Sequence, residues 1–466
     1  MRVSRYVAGP AFLGIAVLLA ASSCLRAESM QSALARAYAD NPQLNAQRAN
    51  VRATDENVPQ ALSGYRPKIG ATATVGEQRN DITDTSLTPP TVYTPLHNTV
   101  TPYSYGLTAQ QTIFNGFQTA NKTRAAEGQV SGAREGLRVM EQTILLNAAT
   151  IYMDVLRDSA IVRIQQSNVA ALRQVLDQTK KRFSVGDVTA TDISQAQAQL
   201  ASAESALLAA QATLTTSKAN YATIIGVPPQ DLTAAAPVDR FAPPTLAAAL
   251  SAGDQFNPNI TAAMYGVDVA YLQVKINEGA LYPTLIVQAS VQQNSEPTIG
   301  EASLFNAGIN AQLTIPFYQG GAEYSLIRQS KETAAQQHLT LDLIRRQVRA
   351  SVAQAWAQHF AAAGELQKAQ VEVSAAEAAV NGIRKELVVG ERTTFDLLNA
   401  QQVLVSARTA LITAQHDRVV TSYNVLSAVG RLSAQVLALP TKIYDPQVHY
   451  RQVRDAWSGI RIPSGK

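Results

Sequence analysis

Apolar and polar positions alternate along this chain in two rhythms, and each rhythm occurs twice. In four segments the period is two, the signature of a strand with one apolar face. Ile69, Ala71, Ala73 and Val75 form the first, and Tyr103, Tyr105, Leu107, Ala109 and Ile113 the second. Leu285, Val287, Ala289 and Val291 form the third, and Phe305, Ala307, Ile309, Ala311, Leu313, Ile315 and Phe317 the fourth. Each strand is about 10 to 13 residues, enough to cross a bilayer when tilted. Elsewhere the rhythm is helical. Ala148, Val155, Val162, Val169, Leu176 and Phe183 are seven apart, and 204 residues later the seam reads Val352, His359, Leu366, Val373, Val380 and Leu387. Heptad spacing predicts coiled-coil contact between neighbouring helices. His359 is the polar intruder, and register-setting fits it better than metal binding.

The same plan is written twice. Ala33-Leu34 and Asn41-Pro42 recur as Ala249-Leu250 and Asn257-Pro258, and Tyr65-Arg66-Pro67 is echoed by Leu281-Tyr282-Pro283, at an offset of 216. Further on the offset is 204, and Gly186, Asp192 and Gly226 match Gly390, Asp396 and Gly430. The difference falls in the Pro- and Thr-rich segment Asn80 to Pro102, whose counterpart is only about Asn294 to Ser303. Of 20 prolines none lies between Pro102 and Pro228 or between Pro316 and Pro440. Proline breaks helices, and glycine suits the left-handed residue that ends them, so each window predicts a helical hairpin turning at Gly186 or Gly390. The long arms, about 119 to 183 and 322 to 387, are roughly 65 residues or about 100 Å. Shorter helices are expected at 29 to 62, 189 to 225, 245 to 280 and 393 to 429, two of which stacked end to end equal one long arm.

The predicted plan is therefore a signal peptide at 1–27 and a first repeat at 28–236 with a β-hairpin at 66–114 and a helical hairpin at 119–226. A second repeat follows at 237–439 with a β-hairpin at 284–317 and a helical hairpin at 322–430, and then a tail at 440–466, equatorial or disordered. The fold class is mainly α with β. Four strands per chain do not close a barrel; two chains pool eight and three pool twelve, and the larger barrel leaves a lumen.

Composition agrees with long packed helices: 46% of residues are apolar but only 6% aromatic. The leader has Arg2 and Arg5, an apolar run from Val7 to Ala21 and small residues to Ala27, the layout of a secretory signal. Cys24, the only cysteine, lies within it, so a chain cut after Ala27 has no thiol. Ala21-Ser22-Ser23-Cys24 is an alternative lipid-attachment site, without the usual leucine three places before the cysteine. Arg2, Arg5 and Arg26 supply three of the four net positive charges, and the near-neutral remainder gives a nucleic-acid partner no electrostatic support. No later run reaches the apolar length of a membrane-spanning helix, so any span is made of strands.

Four passages resemble the TolC family of outer-membrane channel proteins, over nearly the whole chain from Glu28 to about Leu439. They are Asn41-Pro42-Gln43-Leu44, Tyr282-Pro283-Thr284-Leu285, Leu313-Thr314-Ile315-Pro316-Phe317-Tyr318-Gln319-Gly320-Gly321 and Val389-Gly390-Glu391-Arg392-Thr393-Thr394-Phe395-Asp396-Leu397-Leu398-Asn399-Ala400. The tail Tyr444 to Tyr450 looks like that of members paired with type I secretion systems. The resemblance implies a homotrimer in the outer membrane, with a shared 12-stranded transmembrane β-barrel and a periplasmic α-helical tunnel. It further implies a passive exit duct for type I secretion, drug efflux or both. The implied partners are outer-membrane lipid, a periplasmic adaptor and an inner-membrane transporter, ABC-type or proton-driven. A non-channel coiled-coil protein of the cell envelope is the alternative, which shares the heptads but needs no amphipathic strands.

No catalytic cluster or cofactor site is expected: His97, His338, His359, His416 and His449 are dispersed, and Gly320-Gly321 lacks the flanks of a phosphate loop. The working part is expected where the hairpins turn. Thr189 to Asp192 and Thr393 to Asp396 have the threonine-x-x-acid form of a helix start. The resemblance implies that Asp192 and Arg392 latch the closed end, that Asp396 lines the narrowest ring, and that the tips at Val185, Gly186, Val389 and Gly390 meet the adaptor. Two departures stand out: Leu387 replaces a latch tyrosine, and Asn399 a second ring carboxylate.

Overall fold

The computed structural model describes residues 28–85, 93–298 and 301–463; the leader and Cys24 lie outside them. Its frame is two helices of 67 residues, α4 (Gln118–Ser184) and α8 (Ala322–Val388), each about 100 Å long. Each folds back into a shorter partner, α5 (Ala190–Ile225) and α9 (Thr394–Ala428). Among the described residues no helix is long and apolar enough to cross a membrane.

The shorter helices expected at 29 to 62 and 245 to 280 are each broken into separate helices. In the first repeat they are α1 (Met30–Asp40), α2 (Pro42–Asp55) and α3 (Asn57–Leu62), and in the second α6 (Leu246–Phe256) and α7 (Pro258–Glu278). The breaks fall at the two Asn-Pro pairs: proline suits the first residue of a new helix, and asparagine caps it. Asn41 Oδ1 accepts from the amides of Gln43 and Leu44, and Asn257 Oδ1 from that of Asn259. Each asparagine then donates its side-chain amide to the end of the opposing short helix, Asn41 to the Ile224 carbonyl at 3.0 Å and Asn257 to that of Ala428 at 2.8 Å. These are the joints where two short helices meet end to end.

Four strands form one antiparallel sheet in the order β1 (Lys68–Val75), β4 (Tyr103–Asn115), β5 (Thr284–Thr298), β6 (Glu301–Thr314). Its register puts Ala71 opposite Leu107, Leu107 opposite Val291 and Val291 opposite Ala307, while Thr72, Gly106, Gln292 and Asn306 share the other face. One face is thus apolar and the other largely polar. Part of the segment Asn80 to Pro102 is not loop: β2 (Gln78–Thr85) pairs with β3 (Tyr93–Val100), a separate ribbon prolonging the first hairpin.

The main core lies midway down the helices, where Leu34, Tyr38, Leu44, Ile144, Tyr152, Tyr221 and Leu426 interlock. The heptad seam is buried at Ala148, Val155, Val162 and Val169 but opens at Phe183, which is 45% exposed. A second seam, not singled out in the sequence because alanines fill it, runs Ile327, Ala334, Leu341, Val348, Ala355, Ala362, Ala369 and Ala376, all buried. Small residues let α8 lie close to its neighbours. After Leu439 the chain runs on to helix α10 (Gln447–Val453), which packs on α2.

Candidate functional site

Both long helices end in the same way. Asp187 N–H donates to the Arg182 carbonyl and Gly186 N–H to that of Phe183, and Glu391 and Gly390 repeat the pattern onto Glu386 and Leu387. This paired closure needs a left-handed residue, and Gly186 and Gly390 take it at φ +83° and +82°. Beyond each turn Thr189 and Thr393 cap the returning helix. Thr189 N–H and Oγ1 both donate to Asp192 Oδ2, at 2.8 and 2.7 Å, and Thr393 does the same to Asp396 Oδ2 at 2.9 and 2.8 Å. The capping expected from the threonine-x-x-acid spacing is present in full at both tips.

In each aspartate both bonds fall on Oδ2, and Oδ1 has no hydrogen-bond partner among the described residues. The donors hold both carboxyls below the ordinary carboxylate range: the hydroxyl of Thr189 foremost for Asp192, the amide of Thr393 for Asp396. Both are therefore anions at neutral pH.

Asp192 and Arg392 are not brought together within one chain. Asp192 belongs to its capping box, and Arg392 Nε donates to Glu386 Oε2 at 3.0 Å. In the first hairpin Arg182 Nε donates to Asp187 Oδ2 at 2.6 Å. Glu386 stands 204 residues after Arg182, so the tips carry similar bridges of opposite polarity. A reversed pair recurs higher up: Arg173 on α4 meets Glu204 on α5 at 2.7 Å, and Glu377 on α8 meets Arg408 on α9 at 2.7 Å. None of these pairs was read from the sequence, although the 204 offset with inverted charge was there to find.

Leu387 joins the apolar cluster of Val380, Leu397 and Leu398, as a side chain without a hydroxyl does. Asn399 is exposed one turn beyond Asp396. At the tips Val185 and Val389 are 79% and 71% exposed, apolar groups facing solvent.

One contact between the hairpins carries a titratable group. His416 on α9 lies 3.1 Å from Asp154 on α4 and 2.8 Å from Asp417. Burial opposes its charge, but the two carboxylates prevail and hold its pKa above the ordinary value. Its contribution to holding α9 on α4 is therefore full in acid and fades as pH rises through the raised value.

The family description "Outer membrane efflux protein" matches residues 33–227 and 251–431. The chain is similar to the outer membrane efflux protein BepC of Brucella suis biovar 1, with 36% identity over the full length of both. It is 26% identical to the outer membrane protein TolC of Escherichia coli K12, over 94% of this chain and 89% of TolC. The fold matches that of the Campylobacter jejuni CmeC outer membrane channel with a TM-score of 0.77 at 14% identity, covering 91% of this chain and 89% of that one.

Proposed function

From the premise that this chain belongs to the outer membrane efflux protein family, we propose that three copies close into one duct. The chain itself is an outer-membrane channel for efflux or type I secretion, with its helical tunnel in the periplasm. The observation that carries the assembly is the sheet: it has one apolar face, one largely polar face and two unpaired edges, β1 and β6. In a bilayer an unpaired edge is prohibitive, because hydrocarbon offers its amides and carbonyls nothing. Edge β1 of one copy therefore pairs with β6 of the next, and three copies pool twelve strands with the polar face inward. A solitary coiled-coil protein gives such a sheet no role.

The four helices of each chain join those of its neighbours as the tunnel wall, and conduction, not catalysis, is the function. The periplasmic adaptor docks on the tips at Val185-Gly186 and Val389-Gly390, whose exposed valines await an apolar partner. An inner-membrane transporter supplies the energy. Asp192 and Arg392 latch the closed end across neighbouring helices, with the second oxygen of Asp192 available for it, and Asp396 and Asn399 face the constriction.

The test is purification in detergent followed by mass measurement and planar-bilayer conductance. A mass of three chains and a discrete conductance are expected; a stable folded single chain rejects the assembly. The latch has its own readout. The Arg392–Glu386 pair is exposed, so Arg392→Ala is expected to change stability by less than about 1 kcal/mol. Arg392→Ala and Asp192→Ala should both raise the conductance of the closed tunnel. If both conduct like the parent, capping and solvation are their whole role.

A further inference from the structure

The segment 440–463 adds no strand to the sheet, yet it is held to the rest of the chain as far as Trp457. His449 is buried with Nδ1 3.0 Å from Asp55 Oδ2. Tyr450 lies under the Arg134 guanidinium at 4.9 Å, and Arg454 reaches Glu127 at 3.6 Å. Arg66 Nη1 then donates to the Ala456 carbonyl at 2.6 Å, and its guanidinium lies 4.8 Å from the centre of the Trp457 ring. Arg134 and Glu127 lead along α4 toward its start, and Arg66 is two residues before β1. The segment therefore climbs about 20 Å of helix and is pinned at the tunnel end of the sheet.

There it leaves Trp457, Ile460 and Ile462 at 72%, 100% and 86% exposure, with Arg461 exposed among them. The same level carries Phe117, Tyr282, Phe317 and Tyr318, at 63%, 52%, 89% and 76%. These aromatics border the lipid-facing strands where a membrane barrel has its interfacial girdle. Tryptophan and isoleucine with flanking arginine are the chemistry of a segment lying in the headgroup region, the ring and alkyl groups leaving water and the guanidinium groups meeting phosphate. Arg454 is committed to Glu127 and Arg451 donates to Gln447 lower on α10, so Arg461 supplies the charge.

We propose that residues 456–463 form an anchor lying on the periplasmic leaflet of the outer membrane. Trp457, Ile460 and Ile462 sit at the boundary of headgroups and acyl chains, and Arg461 contacts anionic phospholipid. The proposal rests on the barrel reading above. The anchor joins each tunnel wall to the bilayer from outside and resists tilting of the helices against the barrel.

Trp457 is one of only two tryptophans, so the difference between parent and Trp457→Phe isolates its emission, and Trp356→Phe gives it independently. The full-length protein is reconstituted in vesicles of phosphatidylethanolamine with phosphatidylglycerol, some with brominated acyl chains. Brominated lipid is expected to reduce Trp457 emission to about half or below, and acrylamide in the water to reduce it little. Brominated phosphatidylglycerol should quench better than brominated phosphatidylcholine, a preference that Arg461→Gln lowers by about fivefold. Free quenching by acrylamide without quenching by lipid places Trp457 in water and overturns the anchor. Protection from both quenchers places it against protein, a neighbouring copy or an adaptor, and also overturns it. Conductance of the same vesicles separates the two readings: conducting trimers with a wet Trp457 reject only the anchor, whereas absence of conductance rejects the channel assembly.

Discussion

Replacing Gly116 by alanine should leave little folded channel in the outer membrane. Gly116 links β4 to α4 at φ +63°, and a Cβ there would stand 2.2 Å from the carbonyl oxygen of Gly279 and 2.8 Å from Tyr282 Cβ. The nearest obstacle is backbone, from the turn that leads into β5, so neither side yields without moving a strand. Left-handed strain of about 1–2 kcal/mol and overpacking of about 1–3 kcal/mol together consume a large share of the 5–15 kcal/mol typical of a folded domain. Gly279→Ala should do nearly as much, since its Cβ would meet the Gly116 carbonyl at 2.6 Å. Gly186→Ala is the contrast: its φ is +83° but nothing lies within 4 Å, so the cost is the strain alone, about 1–2 kcal/mol. Yield of heat-resistant trimer and its urea midpoint are the measurements. A Gly116→Ala protein that assembles and melts like the parent refutes the close approach of the two repeats at this joint.

Asp396→Asn should largely abolish cation selectivity and block by trivalent cations. In the proposed trimer, threefold symmetry would turn one residue per chain into a ring of three carboxylates, whose mutual repulsion multivalent cations would relieve. Block should weaken at least about tenfold. Asn399→Asp, one turn along α9, should strengthen it by a similar factor. Because the Thr393 amide and hydroxyl hold the carboxyl below its ordinary pKa of 3.8, block should persist at neutral pH and fail only once pH falls below the ordinary carboxylate range. Single-channel current with a trivalent cation on the periplasmic side reads all of this. Unchanged selectivity and block in Asp396→Asn would mean that the carboxylate serves only its helix start.

What the sequence decides here is everything carried by short-range periodicity and single-residue stereochemistry. The two proline-free windows became α4–α5 and α8–α9 because one proline anywhere inside would have removed a hydrogen bond and clashed with the preceding turn. Gly186 and Gly390 closed them because only glycine takes a positive φ without strain, and the Thr-x-x-Asp spacing capped the return because a carboxylate three residues on reaches back to the cap. The alternating runs became strands with one apolar face for the same local reason.

Tertiary structure decided the rest, wherever a residue's partner is remote in the chain and has no period to announce it. The Asn-Pro repeats were visible, but not that Asn41 and Asn257 each also bond the end of another helix, 183 and 171 residues away. Leu387 was read through a missing hydroxyl, and its packing against Leu397 and Leu398 depended on how two helices meet. The tail gave least warning of all: Arg66 and Ala456 are 390 residues apart, and a single side-chain bond leaves no mark on the local pattern of either. Periodicity records which face of an element leaves water, whereas the choice of partner for that face is set by packing and polar satisfaction in three dimensions, which neighbouring residues along the chain do not encode.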